Sequence, residues 1–209
     1  MHAWNANDPP GVTPDQRQDI MEYVETAVRA GYESDRDIAS AACSNYVELS
    51  IDQRIFESWI QSLVKESVAR IRAESRTWPA MTDCDRLDAA FAELERDGYI
   101  ARQNYSCCQT CGIAEICQEA EDLTAQGRSV VGYVFFHEQD TENAVDGIGL
   151  CLAFGSDSND PETDRRVAQH IIFVLDRHGL QTSWPGTIDK RIVVEIDWKR
   201  RRPEGGMIE

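Results

Sequence analysis

The sequence of 209 residues predicts an α+β fold: an N-terminal helical part packed beside a mostly antiparallel sheet of about five strands, with helices on one face. Three observations lead there. Apolar residues recur at helical spacing early in the chain, as in Ile55, Phe56, Trp59, Ile60, Leu63, Val64, Val68 and Ile71. Later the pattern changes to short runs with an apolar residue at every second position, as in Ile192, Val194, Ile196 and Trp198. Capping and stop residues sit where the period changes. Trp78-Pro79 breaks the helical pattern, so the chain divides into a helical region, 1–77, and an α+β domain, 78–209, that carries a cysteine-rich turn.

Residues 1–12 are polar and read as disordered. Thr13-Pro14-Asp15-Gln16 is a helix start: Thr13 as N-cap, Pro14 at the first helical position, Gln16 reaching back. Ile20, Tyr23, Val24, Ala27 and Val28 form its apolar face, and Gly31 stops it. Ser34 caps a second helix to Cys43, and Ser50 opens a third to about Thr77. Thr82-Asp83-Cys84-Asp85 is another capping box, followed by Leu87, Ala90, Phe91 and Leu94 on one face and Gly98 as stop. Tyr99–Tyr105 reads as a strand. This helix, glycine and strand have the outline of a winged-helix recognition element, but the acidic residues of Asp83–Asp97 carry the wrong sign for phosphate.

Ile113–Leu123 reads as a helix. Val130–His137 and Ile148–Phe154 read as a central hairpin joined by a long acidic loop, Glu138–Gly147, which reads first as a solvated tip and second as a place where a cation or polar ligand could bind. Asp160-Pro161-Glu162 starts a helix that ends at His178-Gly179. Leu180–Trp184 and Arg191–Trp198 are strands joined through the turn residues Pro185-Gly186.

Three strings stand out: Tyr105-Ser106-Cys107-Cys108-Gln109-Thr110-Cys111-Gly112, Gly132-Tyr133-Val134-Phe135-Phe136-His137-Glu138-Gln139-Asp140-Thr141, and Trp184-Pro185-Gly186-Thr187. On them the chain resembles an uncharacterised bacterial family of domains of unknown function, over roughly Trp78 to Trp198. The resemblance implies no activity.

The formal charge of −16, with a pI near 4.6, repels phosphate backbones and anionic membranes and suits a basic protein partner. The one basic run, Lys199-Arg200-Arg201-Arg202, is expected to pair with the protein's own carboxylates. No apolar run reaches the roughly 18 residues of a membrane span. Met1–Gly11 lacks a basic-then-apolar signal pattern, and the seven cysteines are odd in number, so the expectation is a cytoplasmic protein with free thiols or a metal site.

The chemistry concentrates in Cys107, Cys108 and Cys111, with Cys117 beyond. Cys108-x-x-Cys111 has the spacing of a zinc knuckle, in which two thiolates on one turn reach a tetrahedral ion. Cys117 is the expected third ligand, because adjacent residues rarely share one ion, and His137 or Cys84 would close a Zn2+ shell. A cysteine pair opening a helix also suits redox chemistry, with Cys108 the nucleophile and Cys111 the resolving thiol. A third reading makes His137 the base of a nucleophilic cysteine. In a fourth the cysteines are buried apolar residues with no cofactor. The leading expectation is a non-catalytic accessory or interaction protein with a structural or metal-binding cysteine turn. The alternative is a thiol-dependent redox protein or enzyme.

Overall fold

Thr13 accepts from the Gln16 amide and Gln16 returns the bond to Thr13, so the first helix, α1 (Pro14–Ala30), opens on the expected capping box and ends at Gly31, in the left-handed region at φ 77°. The computed structural model describes residues 9–46, 52–158 and 160–202. Of residues 1–12, expected to be disordered, 1–8 lie outside them, as do the cap at Ser50 and the tail from Pro203, while Val12 is buried in the helical core. Helices α2 (Asp35–Asn45) and α3 (Gln53–Ser75) follow, and Asp52 caps α3 through the amides of Arg54 and Ile55. Ile20, Val24 and Val28 of α1 pack with Ile38 and Ala42 of α2 and with Phe56, Trp59, Ile60, Val64, Val68 and Ile71 of α3. Ile55, placed on that stripe by its spacing, is exposed.

The chain forms two compact units, Met1–Trp78 with Arg200–Glu209, and Pro79–Lys199. The C-terminal arginines therefore group with the helical unit. Arg202 donates to the Val28 carbonyl and pairs with Asp35 at 2.7 Å, while Arg200 lies over the Tyr32 ring. Arg202 with Asp35, and Lys199 with Asp197, thus pair with the chain's own carboxylates, as expected of this run.

The second unit begins with α4 (Asp83–Arg96), capped by the Thr82–Asp85 box, and continues through β1 (Tyr99–Arg102), α5 (Gln109–Ala125), β2 (Gly132–Phe135), α6 (Glu138–Val145), β3 (Leu150–Gly155), α7 (Pro161–Arg177), β4 (Gln181–Ser183) and β5 (Ile192–Glu195). The five strands form one sheet in the order β1-β2-β3-β5-β4. Three of the pairings are antiparallel and β1·β2 is parallel, with α5 as its crossover. That parallel pair replaces the antiparallel wing a winged helix would have. Tyr99 and Gly132, paired in register, face α7: Tyr99 stacks on His170, and a side chain at Gly132 would meet Val167. α5 packs on the opposite face, where Ile116 joins Ile100, Phe135 and Ala153. Helices thus lie on both faces of β1 and β2.

Phe135 and Leu152 are fully buried, as a paired β2 and β3 require. The connection between them is a correction. Glu138–Val145 is a helix, because His137 and Asp140 form a capping box there. Ile148, expected to face inward on a strand, is 72% exposed in the turn that leads from α6 into β3.

Candidate functional site

β1 and β2 run parallel, so their C-terminal ends open at the same edge, and each feeds a helix from that edge. Residues 103–108 lead from β1 to α5, and Phe136 and His137 lead from β2 to α6. Hydrogen bonds bind the two turns together. The Tyr105 amide donates to the Phe136 carbonyl at 2.8 Å, the Glu138 amide to the Ser106 carbonyl at 3.2 Å, and the Thr141 hydroxyl to Asn104 Oδ1 at 2.7 Å. Asn104 and Ser106 both adopt left-handed backbone, at φ 49° and 64°. That conformation is uncommon outside glycine and is held here by the bonds just described.

Left-handed Ser106 redirects the chain before the cysteines. Cys108 is the N-cap of α5, extended at φ −158°, and Cys111 is three residues on in the first turn. The helix sits close to the sheet because Gly112 has no side chain: a Cβ there would lie 2.5 Å from the Phe135 ring. Gly112 and Ile116 are the fully buried residues of α5, with Ala120 and Leu123 half-buried on the same face. Arg102 pairs with Glu119 and ties the helix to β1. The narrow buried stripe leaves the rest of the first turn in solvent.

Cys107, Cys108 and Cys111 converge there, their sulfurs all within 4.8 Å of one another. Cys107 and Cys111 are exposed and Cys108 is half-buried. Placing Cys107 in this group corrects the expectation for Cys117. Adjacent side chains diverge on a helix or strand, but here Cys107 precedes the helix, Cys108 is its N-cap, and the sulfurs of both lie close to that of Cys111. Cys117 is exposed farther along α5, Cys84 is buried on α4, and neither joins the group. Nor do Asn104 and Ser106 cap α5: Ser106 donates to Glu115 instead.

The thiols are not equivalent. The Cys111 amide, the Cys111 thiol, the Cys107 thiol and the Thr110 amide lie toward the Cys108 sulfur and hold its pKa below the usual thiol value, although no amide makes a capping hydrogen bond of ordinary geometry. Cys111 is pushed up to about 11, first because its proton is shared with Cys108, then through Cys107. Of this pair, Cys108 gives up its proton the more readily and Cys111 keeps it the longer.

His137 lies apart from this group. It is 5% exposed and serves as the N-cap of α6. Nδ1 accepts from the Asp140 amide at 3.4 Å, and Nε2 is 3.0 Å from Asp140 Oδ2. Arg191 Nη1 lies 3.3 Å from the same Nε2. Burial lowers its pKa, Asp140 raises it and Arg191 lowers it, for a net downward shift. With both nitrogens engaged, neither is free to deprotonate a thiol, and the reading of His137 as a catalytic base or zinc ligand finds no contact. Asp140, 1% exposed, also accepts from Arg191 Nη1 at 2.8 Å. Asp140 and Arg191 were missed by local reading. A His-x-x-Asp pair at a helix start was the available signal for the first, and nothing local signals the second.

No described helix is long and apolar enough to cross a membrane. Against known proteins, the model of a family described as a domain of unknown function (DUF6891) matches residues 13–202, and the chain belongs to that family. No curated protein and no solved structure matches.

Proposed function

We propose that this member of the family is a non-catalytic accessory or interaction protein that acts through a thiophilic metal ion held by Cys107, Cys108 and Cys111. One observation carries the reading: three sulfurs, not two, converge within 4.8 Å on an exposed turn. A disulfide needs only a pair. Thiolates around an ion about 2.3 Å from each sulfur lie roughly 4 Å apart, which this spacing accommodates. The α5 N-terminus favours the negative charge that three thiolates bring. Zn2+ is the first ion to test. A cytoplasmic setting keeps the thiols reduced, and the charge of −16 suits a basic protein partner.

The test is metal analysis of protein purified without a polyhistidine tag under reducing conditions, then equilibrium dialysis. About one thiophilic ion per chain, lost in Cys108→Ser, is the expected result. Protein that neither retains nor takes up such an ion at micromolar concentration sinks the proposal.

The split between Cys108 and Cys111 favours a second reading, thiol redox chemistry with Cys108 as nucleophile and Cys111 as resolving thiol. Metal-free protein whose Cys108 alkylates at pH 7 much faster than Cys117 supports that reading. Equal rates count against it.

A further inference from the structure

We infer that the ion this turn is shaped for is monovalent copper, held by Cys107, Cys108 and Cys111 in a trigonal, all-sulfur shell. The inference rests on the metal reading and narrows it. Two filled-shell ions compete for thiolate donors, Zn2+ and Cu+. A structural zinc site closes a tetrahedron with four protein ligands. Cu+ accepts a complete shell of three soft ligands and has no tetrahedral demand.

The donor set separates the two. Among the described residues the group holds three donors, all sulfur, with no imidazole or carboxylate. Each residue expected to close a zinc tetrahedron is bonded, buried or placed elsewhere. His137 is buried, with Nδ1 on the Asp140 amide and Nε2 beside Asp140 Oδ2 and Arg191 Nη1. Cys84 is buried on α4. Cys117 is six residues beyond Cys111 on α5, about 240° round the helix. Glu115, one turn on from Cys111, accepts from Ser106 Oγ at 3.1 Å.

Cys107 is the residue that distinguishes the geometries. A linear two-sulfur copper site needs only Cys108 and Cys111, whose three-residue spacing already brings them together. The left-handed turn at Ser106 adds the third sulfur, and trigonal coordination is the arrangement that uses it. On binding, each neutral thiol releases its proton to solvent, and the sulfur lone pair forms the bond. No electron changes hands.

The experiment uses the full chain, reduced and anaerobic, titrated separately with Cu+ as its acetonitrile complex and with Zn2+, each against a chromophoric chelator. X-ray absorption at the metal edge counts the sulfurs. One Cu+ per chain with three sulfur neighbours is expected. Affinity should fall at least tenfold in each of Cys107→Ser, Cys108→Ser and Cys111→Ser and stay unchanged in Cys117→Ser, while Zn2+ is stripped by excess weak chelator. Circular dichroism confirms that each variant is folded. Two sulfurs on copper with a silent Cys107→Ser overturns the trigonal site. So does Zn2+ held in a closed four-ligand shell, including one completed by Glu115. In both cases the broader metal reading survives. If neither ion binds, both fail.

Discussion

Cys108 and His137 occupy the same station. Each is the N-cap of a helix that follows one of two adjacent parallel strands, and each has a partner at the third helical position, Cys111 or Asp140. The outcomes differ because the surroundings differ. The His137 turn is buried, its amides are capped in both directions, and its charge is matched by Arg191. The Cys108 turn lies in solvent, makes no capping bond and gathers a third sulfur. One local plan thus serves stability where it is buried and capped, and presents thiols where it is exposed and left open.

The largest expected effect tests what lies beneath the cysteine turn. Phe135 is fully buried against Ile116 and supports α5 at Gly112. Phe135→Ala should destabilise by about 3–5 kcal/mol in denaturant unfolding and raise amide exchange in the first turn of α5 before that of α6. Equal loosening of the two turns would mean that they are one rigid element, and the contrast drawn above would fail.

Asp140→Ala comes next. It leaves Arg191 without its carboxylate and His137 without its return bond, at a cost of about 2–3 kcal/mol. That is less than for a fully buried pair, because the Arg191 side chain is 29% exposed and can turn to water. A change below 0.5 kcal/mol, measured by chemical unfolding, would show that the His137 turn is not held by this network.

How far these turns could be read from sequence follows from their physics. The strands and the helices α1, α4 and α7 announce themselves because apolar period and capping residues agree at each of them. α6 does not: it is short, acidic, and capped by a histidine, so Glu138–Gly147 reads as a loop. The parallel pairing of β1 with β2 is hidden because β1 is short and ends on the polar Arg102. At the candidate site, the closeness of Cys108 and Cys111 is legible from spacing alone. Cys107 is not, because its direction depends on a left-handed serine that no propensity favours. The Asp140–Arg191 bond spans 51 residues and has no local trace.

The His137 turn also predicts a pH dependence. Its folded pKa is depressed, chiefly by burial, so the unfolded chain binds the proton more readily. The contribution is fully present above the unfolded value, near 6.5, and is lost as pH falls from there toward the lowered folded value. Asp140 and Arg191 are the charged groups that face the ring. For a single proton the slope cannot exceed about 1.4 kcal/mol per pH unit. His137→Asn keeps a capping side chain without a titrating one, so the difference in unfolding free energy between it and the parent should narrow between pH 7.5 and 5. A constant difference across that range would place the titration elsewhere.

The smallest stability effect is the most informative about function. Cysteine is a poor N-cap, and Cys108 makes no capping bond, whereas a serine hydroxyl there would accept from the Cys111 amide. Cys108→Ser should therefore leave the metal-free protein unchanged or stabilise it by up to about 1 kcal/mol, while removing the thiol whose pKa is held down and with it ion binding. The comparison must be made with chelator present, since an ion bound only by the folded parent would add to its apparent stability. A side chain that lowers stability yet is indispensable for ligand binding is placed for chemistry rather than for the fold. If Cys108→Ser instead costs more than about 1 kcal/mol in metal-free protein, the thiol is a packing group, and the contrast between the two helix starts collapses into two ways of burying a cap.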